Sequence, residues 1–114
     1  MKLNVTQQVI GFNGNPLTKS EKDDSAVDLR EILVTACLNP DPKEFTDGTS
    51  KYRIYKLLKR VSNEDEDEVE IKAEEIATLK KLVAAIYPVA VLGPVYDLLE
   101  DARSNKEPEK DSDD

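Results

Sequence analysis

The sequence predicts a mainly α, α+β protein, with an N-terminal β-hairpin, a short third strand and about four helices around one aliphatic core. Apolar residues recur at helical spacing in several segments, which are separated by Pro, Gly and acidic residues. Tryptophan is absent and aromatic residues make up only 5% of the chain, so aliphatic side chains must form the core. The 114 residues suit one domain, which we expect over residues 1–103, followed by a disordered acidic tail at 104–114.

The N-terminal segment 2–18 is predicted to form the hairpin. It contains several β-branched and aromatic residues, and Asn13-Gly14 is typical of a type I′ turn because both residues tolerate positive φ. Pro16 restricts the strand after the turn to an edge or a short piece. Since a two-stranded hairpin is marginal alone, residues 69–71, where apolar and charged residues alternate, are expected to supply the third strand. Residues 19–24 are expected to be a polar linker.

Apolar stripes predict four helices, over about residues 26–38, 50–61 and 73–87 and from Pro94 onward. Ser25 is the predicted N-cap of the first helix, and Thr49 or Ser50 that of the second. Gly93 is the predicted N-cap of the last, because proline is favoured at the first helical position. The side chains expected to be buried are Leu29, Ile32, Leu33, Ala36, Cys37, Ile54, Leu57, Leu58, Val61, Ile76, Leu79, Leu82, Val83, Ile86, Val95, Leu98, Leu99 and Ala102.

Negative charge is concentrated in one loop and one tail. The formal net charge is −8; residues 64–70 contribute −6 and residues 100–114 contribute −4, which leaves +2 for the rest. We interpret the acids as solvated, because nothing apolar surrounds them that would desolvate a carboxylate. The acidic loop consists of Glu64, Asp65, Glu66, Asp67 and Glu68.

The composition argues against an enzyme and predicts no cofactor and no metal. Histidine is absent, which removes the commonest general base and metal ligand. Cys37 is the single cysteine and falls on an apolar stripe, where a thiol acts as a small hydrophobe. The sequence lacks a Gly-rich phosphate loop and a GxSxG motif. A calcium loop starting at Asn63 would require glycine at the sixth position, where Glu68 stands.

No membrane segment is expected. The N-terminus lacks the apolar core of a signal peptide, and the longest apolar run, residues 82–95, is interrupted by Pro88, Gly93 and Pro94. A lone cysteine cannot form an internal disulfide, so an oxidising compartment is not implied. We therefore expect a cytoplasmic protein.

The apolar stretch 87–96 is the expected protein-binding surface, because it holds more apolar side chains than a short helix needs to bury; the alternative is that it is ordinary core. An alternative is that the acidic loop imitates nucleic acid and blocks a protein that binds DNA or RNA. A third is weak nucleic-acid binding through the basic helix 50–61, which is disfavoured because the adjacent acids can neutralise it. Self-association is left open. The expected partner-binding residues are Tyr87, Val89, Val91, Leu92, Val95 and Tyr96.

The order of these segments resembles a group of small accessory proteins of tailed bacteriophages that have no assigned activity. The matching pieces are the KLNV start with its Gly-containing turn, DLREILVTACL, KYRIYKLLKRV, VEIKAEEIATLKKLV and IYPVAVLGPVYDLLE. They cover most of residues 1–100, and no catalytic or binding residue is carried over from the group. The resemblance implies a viral protein in the bacterial host cytoplasm that binds a phage or host protein as an adaptor, assembly chaperone or inhibitor.

Overall fold

A computed structural model of the chain describes residues 2–18 and 25–104. The mainly α fold with a small β part is confirmed. The expected linker at 19–24 lies outside the described residues, as does the expected tail except for Ser104, which ends the last helix. In chain order, the described elements are β1 (Lys2–Asn4), α1 (Leu29–Leu38), α2 (Gly48–Val61), β2 (Glu68–Glu70), α3 (Ala73–Ile86) and α4 (Val89–Ser104).

The first strand finds its regular partner far along the sequence. β1 pairs antiparallel with β2, and Leu3 lies opposite Val69. Both side chains are buried, whereas the charged residues on either side of Val69 are exposed. The strand expected near residues 69–71 is therefore present, and it pairs with the N-terminal strand without a hairpin connection between the two.

The chain reverses at Asn13-Gly14 as expected, but the turn is longer than a type I′ turn. The N–H of Gly11 donates to the carbonyl of Asn15 over 2.8 Å, and the N–H of Gly14 donates to the carbonyl of Gly11 over 3.0 Å. The loop thus contains three residues, 12–14, and ends at Gly14 with a φ of 85°. Three-residue hairpin loops place a left-handed residue at this position. An isolated antiparallel bridge between Ile10 and Pro16 closes the turn.

The helices enclose a single cluster of aliphatic side chains. Helix α1 packs against α2 and α3, α3 packs against α4, and α4 packs against β1. The stripe residues predicted for the core are buried or half-buried, with the exception of Ile86, which is 38% exposed at the end of α3. Every fully buried residue in the described ranges is hydrophobic. None of the described helices combines the length and apolarity needed to cross a bilayer.

Two predicted helix starts are wrong by a few residues. Helix α1 is capped by Asp28 in place of Ser25, because Ala26 and Asp28 are held extended by bridges to Thr18 and Gln8. Helix α2 starts at Gly48, two residues before the predicted start, and is capped by Asp47. The Asp47 carboxylate accepts the N–H of Ser50 over 2.7 Å, and this hydrogen bond holds the pKa of Asp47 below its usual value.

Helix α4 starts five residues before the predicted start at Pro94. The carbonyl of Pro88 accepts the N–H of Leu92 over 2.9 Å. The non-helical residues between α3 and α4 therefore end at Pro88, and Pro94 lies inside α4. An internal proline removes one hydrogen bond and crowds the carbonyl one turn earlier. Gly93 lowers the cost, because the clash between a proline ring and the Cβ of the preceding residue is absent. Packing of Val91 against the core supports the first turn.

Replacing Pro94 with alanine is expected to stabilise the protein by about 1–2 kcal/mol. The new N–H restores the hydrogen bond to the carbonyl of Ala90, although the greater freedom of the unfolded chain offsets part of the gain. The measurement is the midpoint of urea unfolding. Pro42→Ala, in the turn before α2, is the control and should leave stability unchanged or slightly lower. A destabilised Pro94→Ala variant would show that the proline is favourable in the helix.

Candidate functional site

An apolar groove lies between the N-terminal turn and the first half of α4. Its volume is about 460 Å³. Two of its large side chains are unusually exposed, Phe12 at 87% and Val89 at 81%. Exposed apolar clusters of this kind mark interaction sites in small proteins. The lining residues are Ile10, Gly11, Phe12, Val89, Ala90, Gly93, Pro94 and Asp97.

Phe12 is presented by a turn whose backbone groups are well bonded. Besides the two turn hydrogen bonds, the side-chain oxygen of Asn13 accepts the N–H of Asn15 over 3.0 Å. A Cβ atom on Gly11 would lie 3.2 Å from the side chain of Leu17, so the turn packs closely at its base. Because the backbone of the turn is already fixed, only the Phe12 side chain has to lose conformational freedom when it enters a partner.

The structure separates the six residues expected to bind a partner. Val95 is fully buried in the core, while Tyr87 and Val91 are half-buried against it. Leu92 is half-buried as well. Only Val89 lines the groove and is exposed there. The division follows from the early start of α4, because a helix presents every third or fourth residue to one face.

Tyr96 is fixed against α3. Its hydroxyl donates to the carbonyl of Lys80 over 2.9 Å, and the Lys80 ammonium lies 5.2 Å from the centre of the ring. Lys80 also pairs with Glu100. These contacts assign Tyr96 to the joint between α3 and α4.

Ile10 and Phe12 are not among the binding residues that the sequence predicts. The sequence predicts both as ordinary strand residues of the hairpin, yet Val9 is buried and its neighbour Ile10 is 47% exposed. The sequence does contain a signal for this exposure, because Phe12 directly precedes the Asn-Gly turn. A side chain at the end of a hairpin has few neighbouring strand residues to bury it.

The acidic loop has a fixed backbone and solvated side chains. The Arg30 guanidinium donates to the carbonyls of Val61 and Asn63, each over 2.9 Å, and to that of Glu66. The N–H of Val5 donates to the carbonyl of Asp67 over 2.9 Å. All five acids from 64 to 68 are exposed, and none of their carboxylates makes a hydrogen bond or ion pair that the described part of the chain records.

The outer face of α2 carries a second exposed cluster, which combines tyrosines and lysines. The rings of Tyr52 and Tyr55 are stacked, with centroids 6.2 Å apart and planes 25° apart. Lys56 lies 5.3 Å from the centre of the Tyr52 ring, and Lys59 lies 5.6 Å from that of Tyr55. The sequence predicts a basic helix here but gives no role to its tyrosines. We call these four residues the Tyr–Lys face.

The basic helix is not neutralised by the acidic loop through direct ion pairs. Its one recorded pair in the described ranges joins Arg60 to Glu75 of α3. Arg60 also donates to the backbone carbonyl of Glu70 over 2.9 Å. The loop backbone is held by Arg30 and its carboxylates remain in solvent, as the sequence predicts, so the loop can offset the charge of the helix only through space and not through contacts.

The described residues show how the cysteine and the acidic side chains considered above are placed. They contain no group of three or more acidic or cysteine side chains arranged to hold a metal ion. Burial raises the pKa of the Cys37 thiol to about 11, so that the thiolate is scarce near neutral pH. The side-chain oxygen of Asn63, the first position of the calcium loop considered above, already accepts the N–H of Asp65 over 3.0 Å.

Comparison of the chain with models of known families, with curated proteins and with solved structures yields no match in any of the three. The description of the site therefore depends on the geometry of this chain alone.

Proposed function

We propose that this chain is a non-enzymatic accessory protein of a bacteriophage that binds a phage or host protein in the bacterial cytoplasm. The observation that carries the proposal is the apolar groove, with Phe12 and Val89 exposed on either side of it. An adaptor, an assembly chaperone and an inhibitor would each use such a surface. The phage assignment derives from the resemblance described above.

The groove suits one apolar side chain from a partner, flanked by a basic residue. Its walls are aliphatic and aromatic except for Asp97, which is exposed on the next turn of α4 after Gly93. A partner helix or loop could place a leucine or methionine between Phe12 and Val89, with a lysine or arginine near Asp97. Large apolar anchors in a pocket, with polar contacts at the rim, are the usual source of binding energy in protein interfaces.

Replacing Phe12 with serine is expected to weaken binding of the partner by about 30-fold or more, because an aromatic anchor residue typically contributes upwards of 2 kcal/mol. Tagged wild-type and variant proteins would be used to capture partners from infected and uninfected host lysates, and the captured protein would then be titrated in purified form. Leu38→Ser is the matched control, since Leu38 is 62% exposed at the end of α1 and does not line the groove. Light scattering measures the molar mass of the purified protein and would show whether the protein that it captures is a second copy of itself.

The same titration distinguishes the acidic-mimic alternative, which is favoured by the solvated carboxylates on a fixed loop. In that case, replacing the five acids from 64 to 68 with their amides would abolish binding. The affinity of the wild type would also fall steeply as the salt concentration rises. Binding that survives Phe12→Ser but is lost with the amide variant would contradict the groove proposal. Turnover of a substrate by the purified protein would contradict the non-enzymatic assignment.

A further inference from the structure

The Tyr–Lys face adjoins a cationic groove on the other side of Lys56. The groove has a volume of about 640 Å³ and lies between α2 and the start of α3. Lys56 belongs to both surfaces, since its ammonium lies over Tyr52 and its side chain also lines the groove. The lining residues are Arg53, Lys56, Leu57, Arg60, Lys72, Glu74, Glu75 and Thr78.

The charge of this groove is positive on balance. Of its two carboxylates, that of Glu75 is occupied by the Arg60 guanidinium, and Glu74 is exposed. Arg53, Lys56 and Lys72 have no ion pair recorded in the described ranges. Arg53 and Lys72 interact electrostatically with Asp47 and Glu75, and Lys56 contacts the Tyr52 ring, but none of the three is held in an ion pair in the described ranges. Each therefore keeps N–H groups that can turn to an external anion.

We infer that the Tyr–Lys face and this groove together bind single-stranded nucleic acid without sequence preference. Exposed aromatic rings provide stacking platforms for unpaired bases, and neighbouring lysines and arginines neutralise the phosphates. The two elements lie side by side here, since Tyr52 and Tyr55 occupy one face of α2 and Arg53, Lys56 and Arg60 continue into the groove. A peptide of acidic residues alone would satisfy the cations but has no flat ring to stack on the tyrosines, whereas every nucleotide carries both a phosphate and a base.

The lysines over the rings do not obstruct this mode of binding. Exposed cation–π contacts are weak, and the four-carbon lysine chain is flexible. Lys56 and Lys59 can therefore turn from the ring faces to phosphate oxygens when bases take their place. The net charge of −8 opposes any nucleic acid at long range, so binding should be weak and strongly dependent on salt.

The test is fluorescence anisotropy with a dye-labelled oligothymidylate of about 15 nucleotides, within the range of site sizes typical of such proteins. We expect the wild-type affinity to fall about 50-fold between about 50 and 200 mM salt, as for roughly four neutralised phosphates on a single strand. The double variant Tyr52→Ala/Tyr55→Ala should bind about 30-fold more weakly or worse at low salt, since two stacking platforms are lost. Lys56→Glu/Lys59→Glu should abolish measurable binding.

Two controls separate local from general effects. Leu38→Ala removes an exposed apolar side chain elsewhere, and Lys43→Glu/Lys81→Glu makes the same charge reversal at exposed lysines outside the face and the groove. Both should bind nearly as the wild type does, and circular dichroism should show that every variant is folded. Absence of oligonucleotide binding at low salt, full retention of binding by the double tyrosine variant, or equal affinity for polyglutamate or duplex DNA would each overturn the inference. Phe12 lies on neither the Tyr–Lys face nor the cationic groove. A negative result with the oligonucleotide therefore leaves the proposal of protein binding at the apolar groove unchanged.

Discussion

Replacing Val95 with aspartate is expected to lower the free energy of unfolding by about 3–5 kcal/mol, because it leaves a carboxylate in the core without a partner. Val95 is 0% exposed in α4, and every fully buried residue described around it is apolar. A small domain is typically stable by only about 5–15 kcal/mol, so much of the variant should unfold in mild denaturant. Urea unfolding followed by circular dichroism measures the change.

Val89→Asp provides a matched control on the same helix. Val89 is 81% exposed at the first residue of α4, so the same substitution should change stability by no more than about 0.5 kcal/mol. A carboxylate at this position also faces the positive end of the helix dipole. Equal losses at the two sites would show that α4 is rotated relative to the structure.

This pair of substitutions also separates a structural role from a binding role. The sequence predicts that both residues belong to one binding surface, yet only Val89 lies beside Phe12 in the apolar groove. Val89→Asp should therefore weaken partner binding in a protein of normal stability. Val95→Asp should lower the amount of folded protein, and the folded fraction that remains should bind normally.

Helix faces were predictable because their spacing alone fixes which side is buried. In α1, Leu29, Ile32 and Leu33 follow the i, i+3, i+4 pattern, and all three are buried. The pattern requires no knowledge of the neighbouring element. It failed only at the end of α3, where Ile86 continues the stripe beyond the last residue that a neighbour covers.

Helix ends were less predictable because several residues compete for each cap. Asp28 displaces Ser25 since bridges from distant segments hold residues 26 and 28 extended, and such pairing leaves no local signal in the sequence. The start of α4 posed the same problem, because both Pro88 and Pro94 could begin a helix. The helix begins after Pro88 because the residues between the two prolines pack against the core, as Val91 does. An apolar stripe that is traced only from Pro94 onward leaves those residues out.

The candidate site was the least predictable part, because it depends on contacts between distant segments. Phe12 and Val89 are far apart in sequence and meet only when the N-terminal turn packs beside α4. Arg30 shows the same dependence, since it reaches carbonyls more than thirty residues later and thereby fixes the acidic loop. The stacking of Tyr52 and Tyr55 is local, however, and their i, i+3 spacing on a basic helix could have indicated it.

Glu75 joins three elements, and its replacement by glutamine is expected to cost about 2–3 kcal/mol, as charged hydrogen bonds are lost. Its carboxylate accepts the Arg60 guanidinium of α2 and the N–H of Lys72 over 2.9 Å, which caps α3. Arg60 in turn holds the carbonyl of Glu70 in β2. Glutamine keeps the size of the side chain but offers one uncharged acceptor. Glu74→Gln, at an exposed neighbour in the same turn, should cost less than about 1 kcal/mol.

The effect of Glu75 should depend on pH in one direction. Burial acts to raise the pKa of this carboxyl, but the Arg60 hydrogen bond and the Lys72 N–H outweigh it and hold the pKa below its ordinary value of 4.5. The folded state therefore binds the Glu75 proton more weakly than the unfolded state does, and the stabilisation is complete above the unfolded pKa. It is lost as the pH falls through the lower, folded pKa. The stability difference between the wild type and Glu75→Gln should accordingly be constant near neutrality and shrink in acid. A difference that stays constant into strong acid would mean that the carboxylate charge contributes nothing to the joint.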